Sequence, residues 1–220
     1  MAKVKLANIV AHCNRTLKPE SFEDWPGAVN GLQVGNRGSV SRIAAAVDAS
    51  PATVKKAIDA GADLLIVHHG LFWGTTHPWT GNRYRLLRLL LDNNVAVYSS
   101  HLPLDAHPRL GNNAQLCRAL GIKAPKPFFT ERGQAIGLRG TLDLTLAPFS
   151  MLLANSTSTE PTVLSCSGPL FRHLCLLTVC PSSVMSPPAP ALLPPFLPPP
   201  PPPSPFPLPP PPLLPLFSPP

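Results

Sequence analysis

Charge is missing from the end of this chain. From Leu174 to Pro220 there is no charged residue, and no Asp or Glu follows Glu160. Most of the 32 prolines stand from Pro181 onward. Proline lacks an N–H and fixes φ, so that stretch excludes regular helix and central strand. It is apolar, yet too broken by proline to be a membrane span. Cysteine is scarce: there are five, an odd number with no CxxC pair, which fits a reduced compartment better than a disulfide scaffold. Cys117 reads as a packed thiol on an apolar helical face. The opening MAKVKLANIVAHCN has too short an apolar run for a secretory signal. The expected setting is cytoplasmic, with no membrane partner. A dense basic block is absent as well. The net charge of +7 is spread over Lys3, Lys5, Arg83, Arg85, Arg88 and others, which makes nucleic acid an unexpected partner and leaves anionic small molecules open. No repeat of solenoid length is visible.

What is present centres on Leu64-Leu65-Ile66-Val67-His68-His69-Gly70. Four aliphatic residues in a row read as a strand buried on both faces, as in a parallel sheet. The run ends at two histidines and a glycine, and open α/β sheets place ligand sites beyond the carboxyl ends of their strands. Successive side chains of a regular strand point to opposite faces. For both rings to meet one site the strand must already have broken, which Gly70 permits. Val95–Ser99 repeats the arrangement and runs into His101-Leu102-Pro103-Leu104-Asp105-Ala106-His107-Pro108. If the two strands are neighbours, His68, His69, His101 and Asp105 converge on one crevice.

The chain in order supports such a fold. Residues 4–14 predict an amphipathic helix, with His12 as a surface or packed ring. Residues 21–27 read as a loop, and Asn30–Gly35 as a turn and short strand. Ile43–Val47 predicts the first central strand. Ser50 as N-cap and Pro51 at N1 start a helix that stops at Gly61. Asp48 is either a ligand or, as expected, the carboxylate that orders the turn into that helix. Residues 71–81, with two tryptophans and His77, form a long loop, either a lid or a packed Ω-loop, and His77 is expected to face solvent. Helices follow over 82–93 and 113–120. The sum is a parallel-sheet βαβαβα core. Residues 122–150 change character, with an irregular connection at Pro125, Pro127, Phe128 and Phe129. Residues 136–144 alternate like a strand, and 142–153 read as a strand-to-helix transition. Residues 1–125 are thus expected to form a metal-binding α/β subdomain and 126–180 a partial second α/β subdomain. Residues 181–220 are expected to form a disordered proline-rich tail.

Neutral imidazoles with a carboxylate suit zinc, iron, manganese, cobalt or nickel. His107 is expected to support the site rather than to ligate. A cation held in this way is a Lewis acid and lowers the pKa of a bound water. The visible ligands are too few for two closed metal sites.

NGLQVG, the strand ending in VDAS, GADLLIVHHGLFW and HLPLDAHPRLGNNAQL together resemble the dinuclear-metal-centre hexamer family, whose members are labelled GTP cyclohydrolase 1 type 2 homologues. The resemblance covers residues 1 to about 150 and extends thinly to 178. It implies two linked α/β subdomains, a homohexamer built as a trimer of dimers, and two metals facing its interior. By that likeness His68 serves one metal, His69 and Asp105 the other, and His101 is a further ligand in some members. The implied activity is that of a metal-dependent hydrolase or cyclohydrolase acting on a nucleotide or other phosphoester. The alternative is a non-catalytic metal-binding or interaction protein.

One departure from the family is large. The family's His-x-x-x-Glu motif near the carboxyl end, whose Glu bridges the metals, has no counterpart here. The expected account is a coding sequence that lost its frame. A proline-rich arm that binds SH3 or WW modules is the alternative, weakened by the lack of flanking Arg or Lys. This truncated or frame-shifted form is accordingly expected to hold at most one weakly bound metal and to assemble poorly.

Overall fold

The computed structural model describes residues 3–72, 74 and 77–163, together with the backbone of 174–176. The chain divides into two compact units, Met1–Val179 and Cys180–Pro220. Residues 181–220, expected to form a proline-rich tail, lie outside the described residues.

The first unit begins with β1 (Val4–Lys5), α1 (Leu6–Leu17), β2 (Gly31–Val34), β3 (Ser39–Val40) and β4 (Ile43–Asp48). Then come α2 (Pro51–Asp59), β5 (Leu64–His69), α3 (Gly81–Asp92), β6 (Ala96–Ser99), the single turn α4 (Leu102–Asp105) and α5 (Asn112–Ala119). The chain continues with β7 (Lys126–Glu131), β8 (Gln134–Gly140), α6 (Leu146–Thr157) and β9 (Leu174–Leu176). The central sheet has the order β2-β6-β5-β4. β4, β5 and β6 run parallel, while β2 joins β6 antiparallel at the edge. The α/β class is as expected. The sheet is mixed, and β4 is an edge strand rather than a central one.

The aliphatic run of β5 is buried on both faces because helices cover both sides of the sheet. Leu65 and Val67 pack with Val54 and Ala57 of α2, with Leu90 of α3, and with Val97 of β6. Leu64 turns the other way, onto Leu6 of α1, Ala96 and Tyr98. Val54, Leu64 and Leu90 are each 0% exposed. Fully burying side chains of this size contributes about 1.5–3 kcal/mol each. α2 starts where its cap residues place it, with Ser50 Oγ accepting from the Thr53 N–H at 3.2 Å and Pro51 in the first turn.

A separate antiparallel sheet, β7-β8-β9, follows. The stretch around Pro127 is thus a strand, not an irregular connection. Pro127 pairs opposite Leu138 on β7, an edge strand, where a missing N–H is tolerated. Cys117, Leu120 and Ile122 pack beneath this sheet with Leu138 and with Phe149 and Leu152 of α6. Burial pushes the Cys117 thiol pKa up, as suits an inert core residue. No helix among the described residues is long and apolar enough to cross a membrane.

Candidate metal centre

β5 and β6 are neighbours, and their carboxyl ends meet. Val67 pairs with Ser99, the last residue of β6, so the chain beyond Ser99 leaves the sheet there. β5 continues through His68 and His69, with His69 in register with Asp48 of β4 on one side and the Ser99 hydroxyl donating to the His68 carbonyl at 3.2 Å on the other. The strand therefore has not broken before the histidine pair, contrary to the expectation from alternation. The rings come together all the same, beside the point where the chain turns out of β6 and Ser100 bonds the His68 ring. The His68 and His69 ring centroids lie 4.5 Å apart, tilted by 47°. His101 joins them, with its ring 4.9 Å from His68 and 5.7 Å from His69. One nitrogen from each of the three rings lies within 4.8 Å of the others, so the group has the dimensions to hold a metal ion.

Asp105 is brought to the His68 side of this group by helix geometry, and is not itself one of the donors that lie mutually within 4.8 Å. The HLPLD stretch is one helical turn, not an open loop, with the Asp105 N–H donating to the His101 carbonyl at 3.1 Å. A four-residue spacing puts His101 and Asp105 on one face of that turn. Asp105 Oδ2 lies 3.5 Å from His68 Nε2. Gly111 sets how closely the next segment approaches. A Cβ there would come within 2.5 Å of the Leu104 carbonyl oxygen and 2.6 Å of that of Asp105.

Each imidazole is oriented from behind by an oxygen that can only accept. His68 Nδ1 lies 3.0 Å from the Ser100 carbonyl, His69 Nδ1 2.7 Å from Asp48 Oδ1, and His101 Nδ1 2.8 Å from Asp24 Oδ1. Such partners place the proton on Nδ1 of each ring. Nε2 is then the nitrogen of each ring left to face a cation. A second layer of carboxylate and carbonyl acceptors is what metal-binding histidines usually have. Asp24 is itself fixed, accepting from Asn30 Nδ2 at 2.7 Å, the Trp25 N–H at 2.7 Å and the Leu102 N–H at 3.2 Å. Burial alone would raise its pKa. The hydrogen bonds from His101, Asn30 and Trp25, with the charge of His101, outweigh that and hold it below the usual value.

The electrostatics suit a cation. Burial, and then the nearby His101 and His69, push the His68 imidazole down to about 4 against the pull of the Ser100 carbonyl. Burial pushes the Asp105 carboxyl up to about 6, against the hydrogen bond it accepts from Asn112 at 2.8 Å. The close pair His68–Asp105 is therefore no ion pair, because His68 is already neutral where Asp105 is charged. Near pH 7 the site holds the buried Asp105 carboxylate beside a neutral His68 imidazole, with His69 and His101 adjoining, a donor set that matches a divalent cation.

His107 accepts the N–H groups of Arg109 and Leu110 on its Nδ1, at 3.2 and 2.9 Å, and so ties the turn after Asp105. His77 is exposed and outside the cluster. Asp48 does not order the turn into α2, which Ser50 does; it holds the His69 ring. Of the long loop, Trp73, Thr75 and Thr76 lie outside the described residues, while Phe72 and Trp79 pack edge to face at 5.5 Å. Sequence reasoning missed Asp24, which its local sequence marks only as a loop residue and whose partner His101 is 77 positions away. It also missed Gln33, which accepts the Leu71 N–H at 2.6 Å and donates to the Val29 carbonyl at 2.6 Å, fastening the chain just after Gly70.

Comparison with known proteins agrees with this architecture. The chain is 42% identical over 169 residues to a GTP cyclohydrolase 1 type 2 homolog of Halobacterium salinarum, covering 74% of this chain and 66% of the relative. It is 36% identical over 172 residues to one of Pseudomonas aeruginosa, covering 77% and 68%. A third, from Treponema pallidum, is 51% identical over 116 residues, covering 52% of this chain and 41% of the relative. The chain thus spans about two-fifths to two-thirds of the length of these relatives. Among solved structures, the protein ybgI, of unknown function, superposes with a TM-score of 0.72 at 31% identity, over 83% of this chain and 72% of that one. TTHA1606 from Thermus thermophilus gives 0.68 at 35% identity, over 78% and 68%. The profile of the Duf34/NIF3 (NGG1p interacting factor 3) family matches residues 4–181, and the chain belongs to that family.

Proposed function

We propose that this chain binds one divalent cation through His68, His69, His101 and Asp105 and uses it in hydrolysis of a nucleotide or other phosphoester. The observation that carries the metal reading is the meeting of three imidazoles whose Nδ1 atoms are all engaged by acceptors, beside a buried carboxylate. Four donors fit one tetrahedral ion and are too few for two. A bound cation would supply Lewis acidity and a water of lowered pKa. The protein's own part is to bring the rings together, to fix each through its Nδ1 partner and to keep His68 neutral by burial. The substrate class is supported by the name that the relatives carry, GTP cyclohydrolase 1 type 2 homolog.

The test is metal content by elemental analysis, followed by phosphoester and GTP turnover, for the full chain and for His69→Ala. One ion per chain with turnover that disappears in His69→Ala supports both parts. An ion without turnover supports a non-catalytic metal-binding protein instead. No ion in the wild type overturns the reading.

Self-association is part of the proposal, and exposed apolar side chains support it. Val47 of β4 is 61% exposed and Leu91 of α3 is 56% exposed. Light scattering of the purified chain should give the mass of a multimer, and a monomer would refute this part.

A further inference from the structure

A second place in the molecule has the chemistry of a site, and it lies on the other sheet. Lys126 of β7 and Arg139 of β8 stand directly opposite each other in the antiparallel pair. Lys123 precedes them in the segment entering β7, and all three carry side chains that reach solvent. Like charges facing one another across a ladder destabilise it. Among the described residues none of the three has a carboxylate within ion-pair distance. The repulsion is therefore not relieved within the described fold. The three cations share a cleft of about 340 Å³ with Ala124, Gly140 and Thr141, so they converge on a concavity rather than decorate a ridge. Gly140 is required in this wall, since a Cβ there would run into the Ile122 side chain. A volume of this size sits at the lower end of small-molecule clefts, which run from about 300 to 1,000 Å³.

We propose that the cleft of Lys123, Lys126 and Arg139 binds the phosphate groups of a small polyphosphorylated molecule. Arg139 offers the planar fork that matches two phosphate oxygens, and the two lysines add point charges. The Thr141 hydroxyl is a further donor on the rim. Three cations gathered in one cleft suit a compact anion. A nucleic-acid backbone instead needs a track of cations along an extended surface. This inference does not rest on the metal centre, whose ligands are none of these residues.

The test uses inorganic pyrophosphate and calorimetry on the full chain with a chelator present, so that no metal mediates binding. The wild type should bind pyrophosphate, with affinity falling as salt rises. The double variant Lys126→Gln with Arg139→Gln should bind about tenfold or more weakly. His69→Ala and the surface variant Lys55→Gln should bind as the wild type does. Circular dichroism of the double variant should be unchanged, since the altered side chains lie at the surface. If the double variant has lost its fold, Lys123→Gln alone serves, with a smaller loss expected. The proposal is overturned by the absence of pyrophosphate binding. Binding unaffected by the cation substitutions or abolished by His69→Ala also overturns it, as does a single-stranded oligonucleotide binding the cleft more tightly than pyrophosphate.

Discussion

Asp105→Asn should make the metal-free protein more stable while removing its capacity for metal. The Asp105 side chain is 5% exposed, and burial lifts its pKa from 3.8 to about 6. A raised carboxyl pKa means that ionisation is resisted in the fold. The penalty is absent below about pH 4, where the group is protonated folded and unfolded. It grows as pH rises toward 6 and is complete above that, at about 3 kcal/mol. An amide keeps the acceptor for Asn112 and puts a donor where Oδ2 stood, 3.5 Å from His68 Nε2. Burying that amide costs part of the gain, leaving about 2 kcal/mol. Urea denaturation with a chelator present should therefore show the variant more stable by about this much at about pH 7.5, with little difference at about pH 4. Added zinc should stabilise the wild type and leave the variant unchanged. A variant less stable than wild type without metal, or one that gains equally from zinc, would refute the reasoning.

Three further outcomes follow from the same geometry. Asp24→Ala removes the buried acceptor shared by the His101 Nδ1, the Asn30 amide and the Leu102 N–H, and should cost about 3–5 kcal/mol in urea denaturation. Asp24→Asn, which is milder, should keep the fold and weaken metal affinity about 10- to 100-fold by calorimetry. Gly111→Ala pushes a methyl against the Leu104 and Asp105 carbonyls, and should cost about 1–3 kcal/mol in thermal unfolding together with a loss of metal affinity. Leu90→Ala opens the α3 side of the core, 0% exposed, and should cost about 2–5 kcal/mol while the folded fraction still titrates metal as wild type does.

The parts of this fold that could be read in the sequence are those with a local cause. The run Leu64–Val67 announces a doubly covered strand because every residue in it is apolar. Ser50-Pro51 announces a helix start because the cap bonds span only three residues. Strand order is set by what packs over the faces, so the same reading could not tell that β4 lies at the edge. The β7 strand was hidden by Pro127, which an edge position makes harmless. At the site, the His pair and His-x-x-x-Asp were legible as ligand-like spacings. Their supports were not, because Asp24 and Asp48 reach their imidazoles only after the chain has folded back over 77 and 21 positions. That the His pair could converge within an unbroken strand was not legible either, since it depends on β6 ending at Ser99 and the chain turning there to bring His101 beside His68.

Whether a cation is held among the four named side chains is shown most directly by anomalous scattering from crystals grown with manganese or zinc. The expected map has a single strong peak at about 2.0–2.2 Å from Nε2 of His68, His69 and His101 and from an Asp105 oxygen. A map with metal only at surface carboxylates, and nothing between those four groups, would contradict it.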